Sequence, residues 1–378
     1  MESPADLTFR TRSRSPRTEH SQADGKVDME VPVIDLAPFR AADTGIGPCA
    51  SLPESALKVA QQWREAFSTL GFAQIVGHGV PDEVIEKAYT VVRKFFELPF
   101  EEKKKCDLGL GYGPGGFTPQ GVERVSGTAS RPDGTSILGA EKARPPDYVE
   151  NMLVHRRPTD VIPAGVDGYR EAVYSYHDEM SRLLRTIMRL TAVCLDLPID
   201  FFDTYFFDCS EPPRCEGSVT VRCAYYPKVP EDYVTPPGQL RYGEHTDYQG
   251  FTILWQDHNA VGPQTAKEGL SPPSGGLQVR LPNHEWIDCP PVAGAFTVNA
   301  GDLIQAWSND VLLSNTHRVL MPPPGDRHDR LSLVFFTGPK KDTVVECLPT
   351  CCGPDRPAKY APISAEEHLQ RKLKESNK

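Results

Sequence analysis

The chain has no apolar run near the roughly 20 residues that a membrane-spanning helix requires, and its N-terminus lacks the apolar stretch of a secretory signal. The expectation is therefore an intracellular, cytoplasmic protein with no membrane partner. A basic excess is also missing: 41 Lys and Arg stand against 51 Asp and Glu, a formal net charge of −10. Nucleic-acid binding draws most of its affinity from Lys and Arg neutralising phosphates, so no nucleic-acid partner is expected and a small-molecule substrate fits better. The ten cysteines lack the density and paired spacing of a disulfide framework or a zinc ribbon. Cys347, Cys351 and Cys352 lie close together without a partnering His or second cysteine pair, and read as a loop of free thiols. No internal repeat is present, and a monomer is expected.

What is present divides the chain into four stretches. Residues 1–28 are polar, rich in Ser, Arg and Glu and without apolar period, as in a disordered tail. Its basic run (Arg10, Arg12, Arg14, Arg17) is interspersed with acidic residues, which favours a solvated segment over a targeting one. Residues 29–210 hold a strand at Val31–Leu36 and another at Gly71–Val76, closed by the turn Gly77-His78-Gly79, where His78 reads as a turn residue. They also hold three amphipathic helices. The first carries Leu57, Ala60, Trp63, Phe67 and Leu70. The second carries Val84, Ile85, Ala88, Val92, Phe95 and Phe96, and a longer one runs from Val173 to Cys194. Gly109–Pro146, dense in Gly, Pro, Ser and Arg, predicts a long loop.

From Ser218 the pattern changes to short strand-like segments: Val219–Tyr226, Gly250–Trp255, Leu277–Arg280, Glu285–Ile287, Phe296–Asn299, Leu303–Trp307, Thr316–Leu320 and Leu331–Thr337. Helices first and many short strands after imply an α+β protein whose residues 211–345 form a β sandwich or barrel. Residues 346–378 predict a C-terminal tail, partly helical.

The chemistry concentrates in that β region. His245 and Asp247 form the His-x-Asp of the chain. Side chains two apart on an extended strand share a face, so both can reach one metal, and His317 on another strand can complete the set. Two imidazoles and a carboxylate on one side of an ion leave the opposite positions open, the arrangement of a non-heme Fe(II) oxygenase. A zinc hydrolase uses the same ligand types. After His317 the chain turns through Met321-Pro322-Pro323-Pro324-Gly325-Asp326 and can return antiparallel, bringing Arg330 and Ser332 near the metal strand. A guanidinium in an apolar strand is costly to bury unless an anion meets it, and its fork matches a carboxylate. The alternative is a surface ion pair.

Taken in order, Val33-Ile34-Asp35-Leu36, Leu70-Gly71-Phe72, Gly77-His78-Gly79-Val80, Arg222 through Pro227, His245-Thr246-Asp247, Asn299-Ala300-Gly301-Asp302, Ser308-Asn309, His317-Arg318-Val319 and Arg330-x-Ser332 resemble the isopenicillin N synthase-like family of Fe(II)/2-oxoglutarate-dependent oxygenases. The match runs from about residue 31 to 345. The resemblance implies a double-stranded β-helix (jelly roll) with supporting N-terminal helices, and His245, Asp247 and His317 as ligands of Fe(II). It further implies Arg330 and Ser332 on the distal carboxylate of 2-oxoglutarate, with Tyr226 assisting there or simply packed as a strand tyrosine. O2 would be the second co-substrate and ascorbate a reductant that preserves activity. Oxidation of a C–H bond in a small specialised metabolite would release succinate and CO2, by hydroxylation, desaturation or ring closure.

Alternatives left open are an oxidase that does without 2-oxoglutarate and a catalytically silent module on the same barrel. Arg241, Tyr242 and Phe117 are candidate substrate-pocket residues, Arg241 suiting an acidic substrate; each has an equal reading as a surface or packing residue. Three departures from the family pattern stand out. Ala224 replaces an asparagine, His258–Ser274 is an insertion readable as a lid or a passive loop, and the turn before Arg330 is slightly long.

Overall fold

The structure is a computed structural model that describes residues 29–43, 52–109, 115–125, 144–210, 212–257, 275–324, 326 and 328–376. The expectations for the N-terminal tail and for the 258–274 insertion lie outside these residues. In chain order the elements are β1 (Val33–Asp35), α1 (Ala37–Asp43), α2 (Glu54–Thr69), β2 (Phe72–Val76), α3 (Asp82–Glu97), α4 (Phe100–Lys104), β3 (Gly116–Thr118), β4 (Glu150–Val154), α5 (Tyr169–Cys194) and α6 (Asp203–Phe206). The β-rich part follows with β5 (Thr220–Tyr226), β6 (Tyr242–His245), β7 (Phe251–Gln256), β8 (Leu277–Arg280), β9 (Trp286–Asp288), β10 (Phe296–Ala300), α7 (Asp302–Trp307), β11 (His317–Val319) and β12 (Arg330–Phe336). A short ribbon, β13 (Val344–Val345) with β14 (Ile363–Ser364), leads into the terminal α8 (Ala365–Ser376).

Two sheets make the jelly roll. The larger runs β1-β2-β10-β7-β12-β5-β4-β3 and the smaller β6-β11-β8-β9. Strand alternation sorts the larger sheet into two faces. Val221 and Cys223, Phe251 and Ile253, Phe296 and Val298, and Leu331, Leu333 and Phe335 point outward into the main core. That face is covered by α2, α3 and α5, with Trp63, Phe67 and Phe95 fully buried against it. The intervening residues Arg222, Ala224, Tyr226, Thr252, Leu254, Asn299, Arg330 and Ser332 point inward between the sheets. A smaller apolar cluster that includes Phe72, Leu277, Val279 and Val319 surrounds them there. The inward face is thus half polar, which a purely structural barrel would not tolerate without cost.

Several expectations shift by local physics. Leu57, placed on the buried stripe of α2, is 48% exposed, and Ala56 and Val59 take the inward positions instead. Leu303–Trp307 is helix α7 and not a strand. All but one of its residues are buried, so no alternation distinguishes the two, and Asp302 in its first turn suits the helix dipole. Within the long Gly- and Pro-rich stretch β3 forms a short edge strand, and β4, with all five residues buried, is hidden by its lack of alternation. His78 is a turn residue: its ring accepts from Val80 N–H at 3.1 Å and lies 3.1 Å from the Gly294 carbonyl, between glycines of positive φ.

One close approach positions the site. Gly301 joins β10 to α7, and a Cβ there would sit 2.6 Å from the Gly250 carbonyl oxygen and 2.8 Å from that of Gln249. The naked backbone lets Asp302 N–H reach the Asp247 carbonyl at 2.9 Å. Gly301→Ala is expected to cost about 1–3 kcal/mol through this backbone clash. A urea midpoint equal to that of the parent protein would show that the turn relaxes without penalty.

Candidate metal centre

Strand pairing brings the candidate metal-ligating side chains together. In the antiparallel pair of β6 and β11, His317 stands directly opposite His245, and a register shift between His317 and Val319 marks a bulge beside the site. Their rings lie 4.1 Å apart between centroids. Asp247 follows two residues after the end of β6, with Oδ1 3.6 Å from His245 Nε2 and Oδ2 3.9 Å from His317 Nε2. One ligand atom from each of the three lies within 4.8 Å of the others, and no other group of His, Cys, Asp or Glu among the described residues meets that condition. The cluster of Cys347, Cys351 and Cys352 therefore does not.

The surroundings prepare these groups for a cation. His245 Nδ1 is 2.8 Å from the Gly243 carbonyl and His317 Nδ1 is 3.2 Å from that of Asn315. A carbonyl only accepts, so each ring carries a proton on Nδ1 and turns Nε2 toward Asp247. Burial, followed by the neighbouring His245, pushes the His317 imidazole down to about 4, keeping it neutral. Burial alone would push the Asp247 carboxyl up, but His317, His245 and the amide of Asn299 outweigh it and hold the group well below the usual carboxylate range. Asn299 Nδ2 donates to Asp247 Oδ2 at 2.6 Å and fixes the plane of the carboxylate. Two imidazoles and one carboxylate form a donor set suited to a divalent transition ion.

A second group of polar residues lies deeper between the sheets. Arg330 is 2% exposed, and Nη2 donates to Gln256 Oε1 at 2.8 Å, while Nη1 has no partner. No carboxylate among the described residues is ion-paired with it. Ser332 Oγ is likewise buried and unpartnered. Cross-strand register sets Arg330 opposite Tyr226, whose ring centroid is 5.0 Å from the guanidinium carbon. Arg330, Ser332 and Tyr226 line the same small cavity as His245, Asp247 and His317. The site thus offers a cationic fork and a hydroxyl at one end and a candidate metal triad near the other, which fits a keto diacid bound to a ferrous ion. Ala224 lines the cavity with a methyl group.

A larger cavity of about 250 Å³ opens on the outer side of the triad and shares Tyr242, His245, Asp247 and Thr252 with the inner one. Tyr242 belongs to both. Its hydroxyl donates to Glu123 Oε1 at 2.8 Å and accepts from Arg222 Nη1 at 2.6 Å, and its ring meets His245 edge-on at 4.7 Å. The other two pocket candidates lie elsewhere. Arg241, adjacent to Tyr242 on an extended segment, faces the opposite way. Its guanidinium sits 5.8 Å from the Tyr226 ring and donates to the His328 carbonyl, which puts it on the Arg330 side and outside the lining of the outer cavity. Phe117 is 1% exposed in the main core, 5.7 Å from the ring of Phe95, because β3 joins the large sheet and turns this side chain toward the helices.

Several residues of the site carry no readable signal in the sequence. Gln256 and Glu123 are ordinary polar residues until the strands pair. Leu369, Gln370 and Leu373 of α8 line the outer cavity, although their segment reads as a charged tail.

Comparison with known proteins gives a consistent set of likenesses. Residues 31–162 match the family described as non-haem dioxygenase in morphine synthesis N-terminal, and residues 218–339 match the 2OG-Fe(II) oxygenase superfamily. A 2-oxoglutarate-Fe(II) type oxidoreductase, hxnY, of Emericella nidulans is 30% identical over 91% of this chain and 90% of its own length. Jasmonate-induced oxygenase 3 of Arabidopsis thaliana is 29% identical over 90% of this chain and 80% of its own. Among solved structures, a full-length Neurospora crassa protein crystallised in complex with alpha-KG superposes with a TM-score of 0.72 at 27% identity, covering 92% of this chain and 98% of that one.

The orienting contact of Asn299 gives a direct test. Asn299→Ala is expected to weaken Co(II) or Mn(II) binding about 10- to 100-fold, the usual cost of losing a partner that orients a metal ligand. Metal titration of the purified protein measures this, and equal affinities for the two proteins would rule the contact out as an orienting one.

Proposed function

The chain belongs to the 2OG-Fe(II) oxygenase superfamily, and from that premise we propose that His245, Asp247 and His317 hold its ferrous iron while Arg330, Ser332 and Tyr226 receive the far carboxylate of 2-oxoglutarate. Its activity is that of a non-heme Fe(II)/2-oxoglutarate-dependent oxygenase of small molecules. When bound, the iron with 2-oxoglutarate and O2 supplies the oxidation of a substrate C–H bond, with succinate and CO2 as co-products. The protein's part is to bind, orient and exclude water.

The observation that carries the assignment is Arg330. A guanidinium withdrawn from water, with only a neutral amide as hydrogen-bond partner and a free Nη1, is costly unless an anion completes it. The free Ser332 hydroxyl two residues on supports the same carboxylate. Neither a hydrolytic zinc site nor a silent barrel has use for such a fork. The Nδ1–H groups of His245 and His317 donate to the Gly243 and Asn315 carbonyls, which leaves both Nε2 atoms to ligate iron. The Glu123–Arg222–Tyr242 network holds the Tyr242 ring against His245 as a rigid wall between inner and outer cavities. The substrate takes the outer cavity, whose size and mixed polar and apolar lining suit a small specialised metabolite.

We read the protein further as a cytoplasmic monomer without a nucleic-acid partner. Two observations support this: all nine cysteines among the described residues are free thiols, and the net charge is −10. No helix among the described residues is long and apolar enough to cross a membrane.

Apoprotein given Fe(II) and 2-oxoglutarate without oxygen is expected to develop the weak visible charge-transfer band of a chelated keto acid, and His317→Ala to lack it. Identical spectra would sink the ligand assignment. Arg330→Leu should retain Fe(II) but lose about 2–5 kcal/mol of 2-oxoglutarate binding, the cost of removing one side of a buried charge pair. Titration of the same band reads this as a rise of about thirtyfold or more in the 2-oxoglutarate dissociation constant.

A further inference from the structure

The C-terminal helix has two working faces that neither the family matches nor the charge pattern of its sequence explains. Glu366, Leu369, Gln370 and Leu373, spaced as one stripe of a helix, line the outer cavity, and the two leucines are only half-buried. Beside that stripe Ala365, His368 and Lys372 are all 0% exposed. A lysine is almost never withdrawn from solvent without a partner. Lys372 Nζ lies 2.8 Å from Asp302 Oδ2, within 3.4 Å of the Thr246 hydroxyl and 5.3 Å from the centre of the Tyr248 ring.

Asp302 is the residue whose backbone N–H holds the Asp247 carbonyl, and its carboxylate also accepts from Ser314 at 2.8 Å and from Thr246 at 3.4 Å. Lys372 therefore reaches through the wall of the barrel to the turn that carries the proposed iron-binding carboxylate. His368, also fully buried, brings Nε2 to 3.9 Å from the same Asp302 oxygen, and the Gln249 amide donates to the Ala365 carbonyl at 3.2 Å. Nearer the surface, Ala365 N–H reaches Thr343 at 2.9 Å, Glu366 N–H reaches Lys341 at 3.2 Å, and Lys341 pairs with Glu366.

We infer that α8 is the closing wall of the substrate cavity, latched by Lys372 on Asp302, and that Leu369 and Leu373 on its inner face select the substrate by size and shape. This rests on the reading that the outer cavity is the substrate site. With α8 docked, water reaches the triad only past the lining of the cavity. With Lys372 released, the helix loses its ion pair to the Asp302 turn and the triad opens to solvent on that side. Lys372 is a positioning residue: it touches neither substrate nor iron, and acts by keeping the leucines over the cavity.

Hydrogen exchange on full-length protein tests the latch without any substrate. Lys372→Met is expected to speed exchange of the α8 amides about tenfold or more while β7, β10 and β12 exchange as in the parent, and Lys372→Arg to restore most of the protection. Unchanged α8 exchange in Lys372→Met overturns the latch, and so does faster exchange throughout the sheets, which would make Lys372 part of the global fold.

Selection is tested by Leu373→Trp and Leu369→Trp, which fill the cavity from a half-buried face. Both should keep the anaerobic charge-transfer band with Fe(II) and 2-oxoglutarate. In a compound screen scored by oxygen-dependent succinate release, compounds that stimulate the parent protein should lose tenfold or more of their effect. An unaltered ranking of compounds overturns the selecting role. Absence of the band in the parent protein would instead refute the metal and co-substrate assignment, leaving the exchange result to stand by itself.

Discussion

Everything in the site depends on the opposition of His245 and His317 across β6 and β11. That one cross-strand pair fixes the separation of two Nε2 atoms, and Asp247, held from behind by Asn299 and by Asp302 N–H, supplies the charge between them. Burial keeps both the aspartate and its neighbours out of water, and would penalise the carboxylate if the imidazoles were not there. The arrangement is therefore self-consistent only as a set: an anion that needs cationic company and two imidazoles whose Nε2 atoms face it. A divalent ion satisfies all three at once.

The second constraint is the alternation of β5 and β12. Because successive residues face opposite ways, a strand that sends Leu331, Leu333 and Phe335 into the helical layer must send Arg330 and Ser332 between the sheets. The main core and the inner cavity are built by the same two strands, one on each side. The packing that stabilises the fold also prevents the guanidinium from reaching solvent, so stability and the burial of Arg330 are set by the same register.

Much of this is legible in the residues themselves. His245-x-Asp247 and Arg330-x-Ser332 share the two-residue spacing that puts side chains on one face, and turn chemistry between His317 and Arg330 implies an antiparallel return. What the sequence hides is physical in each case. Leu303–Trp307 is buried almost throughout and so shows no period. Leu57 and Ala56 exchange places because a difference of one residue rotates a helix by about 100°, comparable to the width of its apolar stripe. Proximity to the metal pair suggests a pocket role for Arg241, and a place in the long loop suggests one for Phe117, whereas strand direction decides which way they point. Lys372 looks like any solvated lysine among charged neighbours, and only its distance to Asp302 reveals otherwise.

The strand order carries a last consequence. β10, which bears Asn299, has β7 on one side and β2 on the other, and β5 is flanked by β12 and by β4. Excising residues 218–339 as a minimal catalytic fragment would strip β2 and β4 away and leave two long unpaired edges, each a template for pairing with another copy. The apolar side chains under α2, α3 and α5 would be bared in the same cut. The first half of the chain is therefore no appendage: the barrel borrows its borders from it, and neither half is a separable piece.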